Sequence, residues 1–364
     1  MAEKIKKGRY NELDALRGIA AIFVLLFHYT LHRPQANLGF RFGVTGVDLF
    51  FIISGFVIFM TLKKVKDSSE FIIGRISRLY PTYWACVTFT FILICISAVN
   101  SGSRIDFVQY LVNLTMFQYY FRIRDIDGPY WTLLIEMVFY ISIILIFYFK
   151  MMRFLKPIGI SVAVTAAVLC FFFGNNKIVE KIFWVIPLLS FIPLFLAGII
   201  FYEIYTVKEK LLQNYLIIAL CFICQITLFP KGRSAEYITT PEYFLVLICY
   251  FSLFILFVHH KLNFIVTGVT IFLGKISYSV YLIHQYISIK VIIPYLTDTL
   301  HINFWIAALG VALPVVLILA SLLTYYVDIP CRKLMKESLL KIKTWGILKK
   351  SANPQSPINA NFKE

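Results

Sequence analysis

Apolar residues along the chain fall into ten long runs that are separated by polar segments, most of them short. The runs cover about residues 15–31, 45–62, 80–99, 129–149, 157–173, 185–204, 211–229, 241–258, 270–291 and 303–326. A helix needs about 20 predominantly apolar residues to cross a bilayer. The pattern therefore predicts an all-α polytopic membrane protein with about ten transmembrane helices.

Composition supports this class and delimits its parts. Hydrophobic residues make up 60% of the chain and charged residues 15%, whereas soluble proteins carry about 25% charged residues. We expect a basic tail over 1–14, a ten-helix membrane domain over 15–330 and a second tail over 331–364. The second tail begins with basic and apolar residues at helical spacing, which predicts a short amphipathic helix. It ends in an Asn-, Pro- and Ser-rich stretch that predicts disorder.

The lysines and arginines predict the orientation of the helices. Net charge is +16, but the basic residues collect at alternate ends of the runs, which argues against a nucleic-acid-binding stripe. An even number of spans puts both termini on one side, and a cytoplasmic placement puts 25 of the 35 lysines and arginines there. This bias predicts cytoplasmic termini, an extracytoplasmic loop over 100–128 and a place in the plasma or inner membrane.

The first apolar run contains a histidine that shares a helix face with an arginine. Arg17 precedes His28 by eleven residues, which is about three helical turns and about 16 Å along the axis. Ionisable side chains within a membrane span are costly, so they tend to be functional. A histidine packed between helices is the alternative. His32 follows His28 by one turn, but no third ligand has suitable spacing, so we predict no metal site.

Two carboxylates are predicted to lie at about the depth of His28. Asp48 starts the second run at its outer end, and Glu136 lies near the outer end of the fourth run. A histidine and carboxylates at one depth would suit acyl transfer or a proton relay. We therefore predict His28, Glu136 and Asp48 as catalytic residues, although sequence does not show whether they meet laterally.

Further polar residues are predicted to bind substrates. Arg75 and Arg78 lie three residues apart on one helix face and, with Arg17, are the predicted binding residues for a phosphate-bearing cofactor. An inner-leaflet anchor is the alternative for Arg75 and Arg78. The predicted acceptor-binding residues are Tyr130, Trp131, Ser279 and His284. Hydrogen bonding between helices is the alternative for the last two.

Five segments in the same order resemble the acyltransferase 3 family of membrane-bound acyltransferases: Leu13–Gly18 with His28, Gly46–Gly55, Arg75–Pro81, Trp131–Glu136 and Ser277–His284. The resemblance covers about residues 10–330. Arg17 and His28 match the family's Arg-x10-His motif, and Arg75 and Arg78 match its Arg-x-x-Arg motif. Many relatives carry an extra span and a hydrolase-like domain at the C-terminus. The predicted tail over 331–364 resembles neither, so we expect a stand-alone form of the family.

The resemblance also implies an activity. Family members transfer an acyl group, usually acetyl, from cytoplasmic acyl-CoA to a hydroxyl group. Their acceptors are mainly cell-surface glycans such as lipopolysaccharide, exopolysaccharide and peptidoglycan, and some are small molecules such as antibiotics. We therefore expect acetyl-CoA as donor, no metal, a glycan or lipid-linked glycan as acceptor, and contact with membrane lipids. Assembly into a homo-oligomer is left open.

A direct mechanism follows as a hypothesis from these residues. His28 would act as general base on the acceptor hydroxyl, and Glu136 would orient its imidazole ring. A covalent acyl-enzyme is the alternative route. The rival function is a secondary transporter or flippase, which would also use intramembrane His, Glu and Arg. Such a protein predicts inverted repeats and matching Gly or Pro breaks in two halves, and the sequence has no clear repeat.

Overall fold

A computed structural model describes residues 10–101 and 106–352, with side chains described up to 97 and from 106 to 345. Within these ranges every regular element is helical, and the chain forms no strand. The α-helices are α1 Asn11–Thr30, α2 Gly46–Leu62, α3 Ser68–Ser101, α4 Phe107–Asn113, α5 Trp131–Tyr148, α6 Leu155–Phe173, α7 Lys177–Val185, α8 Ile192–Thr206, α9 Leu211–Leu228, α10 Thr240–Val258, α11 Gly268–Tyr286, α12 Leu313–Leu322 and α13 Ile329–Ala352.

Nine helical segments in the described part of the chain are long and apolar enough to cross a membrane, so the predicted all-α polytopic class is confirmed. They match nine of the ten predicted runs. The remaining run, 185–204, is divided by prolines: Pro187 starts a short 3₁₀ turn and Pro193 lies in the first turn of α8. The tenth helix is consequently the shorter, 15-residue α8.

Successive long helices alternate in direction, which gives the bundle two ends. We call the end at which α1 begins the basic end, because Lys275 and Arg332 also lie there. The far end is where α1 finishes beside His28. The far end also holds the segment between α3 and α5 and the turns between α9 and α10.

Two pairs of helices approach each other closely at glycines. α1 and α11 run parallel: a Cβ atom built on Gly274 would lie 2.0 Å from the Asp14 carbonyl oxygen, and at the far end the Tyr29 hydroxyl is 2.7 Å from the Ser288 Oγ. α2 and α8 also run parallel, and a Cβ atom on Gly55 would lie 2.0 Å from the Phe195 carbonyl oxygen. Small residues permit such backbone contact between membrane helices. The α1–α11 contact fixes the relative height of the two helices that carry the candidate site.

The predicted 100–128 loop is partly folded over the far end. Helix α4 ends at Asn113, which is buried. Its side-chain amide donates to the Arg124 carbonyl oxygen at 3.0 Å and accepts from the Ile126 amide at 3.0 Å. Asn113 thus holds the end of α4 against the segment around residues 124–126. Because its side chain is buried, it is not accessible to modification or labelling.

The last helix, α13, includes the segment after residue 330 that was predicted to form a short amphipathic helix, and it is longer than that prediction. α13 starts at Ile329 and contains Pro330 in its first turn, where a missing N–H costs no hydrogen bond. Lys343 Nζ donates to Asp67 Oδ2 at 2.6 Å, and this hydrogen bond holds the pKa of Asp67 below its usual range. The contact ties α13 to the turn before α3. The tails 1–9 and 353–364 lie outside the described residues, so the predicted disorder stays a prediction.

Candidate active site

Two histidines meet at the far end of the α1–α11 pair. His284 Nε2 lies 3.0 Å from His28 Nδ1, although 256 positions separate the residues in sequence. His284 is fully buried, whereas His28 is partly exposed. The sequence predicted His28 as a catalytic residue and His284 as an acceptor-binding residue, but it did not predict that the two side chains contact each other.

Their backbone contacts assign the positions of the ring protons. His28 Nδ1 is 2.8 Å from the Val24 carbonyl oxygen, and His284 Nδ1 is 2.9 Å from the Tyr281 carbonyl oxygen. A carbonyl oxygen only accepts hydrogen bonds, so both Nδ1 atoms carry a proton in the neutral pair. His28 Nδ1–H is then shared between Val24 and the lone pair of His284 Nε2. His28 Nε2 keeps its lone pair and makes no hydrogen bond to any described residue.

Glu136 lies near the arginines instead of His28. Its Oε1 accepts a 2.7 Å hydrogen bond from Ser54 Oγ and a second, short one from the Tyr140 hydroxyl. It also lies within electrostatic range of Arg17 and Arg75. The hypothesis that Glu136 orients the His28 ring is therefore wrong in geometry: His284 occupies that position. Helix α5 brings Glu136 to the level of Arg17, about 16 Å below His28 on α1.

The two arginines of the Arg-x-x-Arg pair have different surroundings. The Arg75 guanidinium packs 5.5 Å from the Phe71 ring centre and 5.8 Å from that of Tyr140, and it donates to Thr61 Oγ1 at 3.3 Å. Arg78 instead lines the open cavities next to Arg17. We infer that Arg78 can meet a ligand directly, while Arg75 supports the wall behind it.

A cavity of about 560 Å³ opens at the basic end. Its charged lining residues are Arg17, Arg78, Lys275, Arg332, Asp14 and Asp328. Arg17 lies 3.7 Å from Asp14, and Arg332 lies 3.9 Å from Asp328, so each acid is held by a neighbouring cation. The remaining positive charge suits an anionic ligand such as a phosphate group.

A second, smaller cavity of about 90 Å³ continues from the first toward the far end. Both cavities are lined by Arg17, Arg78, Ser277 and Tyr278, and the smaller one extends past Glu136 to Tyr281. Tyr281 precedes His284 by one turn of α11 and accepts its hydrogen bond. A row of cavity-lining residues therefore leads from the basic mouth to within one helical turn of the histidine pair.

Asp127 joins the far-end segment to α11 beside this pair. Its Oδ1 accepts from the Gly128 amide at 2.9 Å and its Oδ2 from the Tyr286 amide at 3.3 Å. Burial raises the pKa of Asp127 to about 7, and the two backbone hydrogen bonds oppose that rise. The carboxyl group positions the start of α5 against the end of α11. No pattern in the sequence predicts this role, because it depends on a contact between residues 159 positions apart.

Several predicted site residues lie elsewhere. Asp48 is buried at the start of α2, where it faces the Tyr243 hydroxyl of α10 and lines neither cavity. Neither Asp48 oxygen forms a hydrogen bond of good geometry. Tyr130 is fully buried against the Tyr83 ring, 5.1 Å between ring centres, and Ser279 bonds Thr324 at 2.8 Å. We infer packing roles for all three.

Trp131, another predicted acceptor-binding residue, does lie next to the smaller, inner cavity. Its indole ring lies 4.5 Å from the Arg233 guanidinium and packs in the cluster that holds Tyr281. Among the residues that the structure describes, no three His, Cys, Asp or Glu side chains group as metal ligands. His32 is exposed in the turn after α1 and does not join the histidine pair.

Comparisons with known proteins give matches to acyltransferases. The sequence model of a family described as an acyltransferase domain matches residues 10–325. ORF330 of Acidianus two-tailed virus, provisionally named an acetyltransferase, is 27% identical over 297 residues, which are 77% of this chain and 84% of that protein. The O-acetyltransferase OatA of Staphylococcus aureus is 31% identical over 173 residues, 43% of this chain and only 27% of that protein. No solved structure shows significant similarity.

Proposed function

The chain belongs to the acyltransferase 3 family and is an O-acyltransferase, and from this premise we propose that it moves an acetyl group from acetyl-CoA to a hydroxyl of a cell-surface or exported glycan. The observation that carries this proposal is the row of lining residues from the basic cavity to the histidine pair. A donor with a charged head and a long thioester arm suits such a path.

The basic cavity would hold the phosphates of coenzyme A. Arg17 and Arg78 line both cavities, and Lys275 and Arg332 lie at the mouth. Guanidinium groups bind phosphate with two parallel hydrogen bonds, which fixes orientation as well as charge. The pantetheine arm would pass Glu136 and Tyr281, and the thioester would stop near His28. Glu136 would hold the arginines and Ser54 in position along this path.

His28 would then act as the general base. Its unpaired Nε2 would take the proton of the acceptor hydroxyl while the hydroxyl oxygen attacks the thioester carbonyl carbon. Collapse of the tetrahedral intermediate breaks the carbon–sulfur bond, and the leaving thiolate recovers the proton from His28. His284 would orient the imidazole through the Nδ1–H bond, the place that aspartate takes in a catalytic triad.

The proposal requires the basic end to face the cytoplasm, where acyl-CoA is made. The bias of lysines and arginines supports this orientation. A cysteine placed at the exposed Arg124 in a cysteine-free background should react with a membrane-impermeant maleimide on intact cells. A cysteine at the exposed Lys208, between α8 and α9, should react only after lysis. The reverse pattern would reverse the topology and remove the route for the donor.

Purified protein in lipid nanodiscs provides the test of activity. With radiolabelled acetyl-CoA and isolated surface glycan, we expect label on the glycan as an alkali-labile ester. A transporter or flippase would leave the glycan unlabelled and would instead show vesicle uptake or lipid translocation. Label on a small hydroxylated molecule such as an antibiotic, with none on any glycan, would replace the acceptor class and keep the enzyme class.

A further inference from the structure

A separate cavity of about 270 Å³ lies at the far end. It is bounded by α5, α7 and the turns before α8 and before α10. Its lining combines aromatic side chains with cations and one acid: Tyr119, Trp131, Trp184, Lys231, Arg233 and Glu180. None of its lining residues lines the donor path or belongs to the histidine pair.

Helix α5 forms the wall between this cavity and the donor path. Leu134 and Ile135 face the far-end cavity, whereas Leu133 and Glu136 face the inner donor cavity. Trp131 lines the far-end cavity and also packs in the same cluster as Tyr281, which precedes His284 by one turn. A molecule bound there would lie beside the point where we place the thioester.

The Arg233 guanidinium is exposed and open to a ligand. It stacks 4.5 Å from the Trp131 ring centre and makes no hydrogen bond or ion pair to any described residue. The neighbouring Lys231 is already committed, because its Nζ donates to the Gly174 carbonyl oxygen at 2.6 Å. The nearby Asp125 is held by Gln118 at 2.6 Å. The stacked Arg233 is thus a pre-oriented cation with unused donors.

The aromatic groups add flat faces beside this cation. The rings of Tyr119 and Trp184 lie 5.4 Å apart, and the Tyr119 hydroxyl donates to the Trp184 carbonyl oxygen at 2.9 Å. A second arginine, Arg122, lies 5.7 Å from the Trp184 ring centre. Aromatic walls with a few fixed polar groups are typical of small-molecule sites, since the rings bury apolar faces and the polar groups set orientation.

We propose that this far-end cavity is the acceptor site and that it selects glycans bearing an anionic group. A sugar ring would stack on Trp184 or Tyr119, and its carboxylate or phosphate would pair with the fork of Arg233. The proposal rests on the glycan acceptor proposed above and adds that this glycan is acidic. An aromatic belt facing the membrane interface is the competing explanation for these rings.

Calorimetry on the full chain in phosphatidylcholine nanodiscs tests the selectivity without any turnover. Two matched pairs serve as probes: trigalacturonate against galactotriose for a carboxylate, and 6-phosphomannobiose against mannobiose for a phosphate. We expect at least one anionic member to bind about tenfold or more tightly than its neutral partner, as one charge-assisted contact requires. Arg233→Gln should remove that preference, and Arg233→Lys should restore it in part.

A matched control lies at the other end of the bundle. Arg153 also stacks on a ring, 4.6 Å from the Phe154 centre, but lines none of these cavities, so Arg153→Gln should keep the preference. Equal binding of charged and neutral sugars, no sugar binding, or an unchanged preference in Arg233→Gln would each overturn the proposal. A second nanodisc preparation that contains phosphatidylglycerol tests the lipid alternative: Arg233-dependent binding of this lipid, with no binding of sugar, would also overturn the proposal. Sugar binding without acetyl transfer would retain the cavity assignment and refute the proposed reaction.

Discussion

Replacing His28 by alanine is expected to reduce acetyl transfer by about 10²–10⁴-fold, the range for loss of a general base. The reason is specific to one atom: His28 Nε2 keeps a lone pair, because Nδ1 donates its proton to Val24 and His284. Donor affinity should survive, since Arg17 lies about 16 Å away along α1 and Arg78 lines the same cavities as Arg17. Radiolabel transfer and calorimetry with acetyl-CoA measure the two quantities separately.

His284 and His32 serve as companions to that variant. His284→Leu should lower kcat by about tenfold at unchanged donor KM, because it removes one hydrogen bond that orients the base. His284→Gln should recover part of the loss through its amide oxygen. His32→Ala should be silent, since His32 is exposed and lies outside the pair. A His28→Ala protein of normal thermal stability and near-normal turnover would return His28 to a packing role.

The membrane helices could be predicted from the sequence because their length depends on a single dimension, the thickness of the bilayer. A bilayer of fixed thickness requires about 20 residues per span, so apolar run length predicted nine of the long helices and failed only where Pro187 and Pro193 divide a run. The shared face of Arg17 and His28 was likewise readable, because it depends on helical pitch within α1 alone.

The sequence did not predict in the same way which helices lie side by side. Depth along the helix axis placed Asp48 and Glu136 near His28, but depth says nothing about which helix lies beside which. The glycine contact of Gly274 with α1 decides that His284 faces His28. Packing likewise turns Asp48 toward Tyr243 and Glu136 toward Ser54. The polar residues of α11 were visible in sequence, but their partner was not.

Replacing Arg78 by alanine is expected to weaken acetyl-CoA binding by about 10–100-fold, equivalent to about 1.5–3 kcal/mol for a charged hydrogen bond. Arg78 lines both the mouth and the inner cavity, so its guanidinium lies where a phosphate-bearing donor would enter. Arg78→Lys should restore only part of the affinity, because an ammonium group cannot make the paired contact. Calorimetry in nanodiscs gives the dissociation constants, and raised salt should weaken what remains.

The Arg75 and Arg153 variants separate phosphate binding from general charge. Arg75 is stacked between Phe71 and Tyr140 and bonded to Thr61, so Arg75→Ala should chiefly lower the thermal unfolding temperature. Arg153 is exposed in the loop between α5 and α6, and Arg153→Ala should change neither property. If Arg78→Ala binds acetyl-CoA as tightly as the unaltered protein, the cavity does not hold the phosphates. The arginine pair would then serve membrane topology, and the donor would need another route to His28.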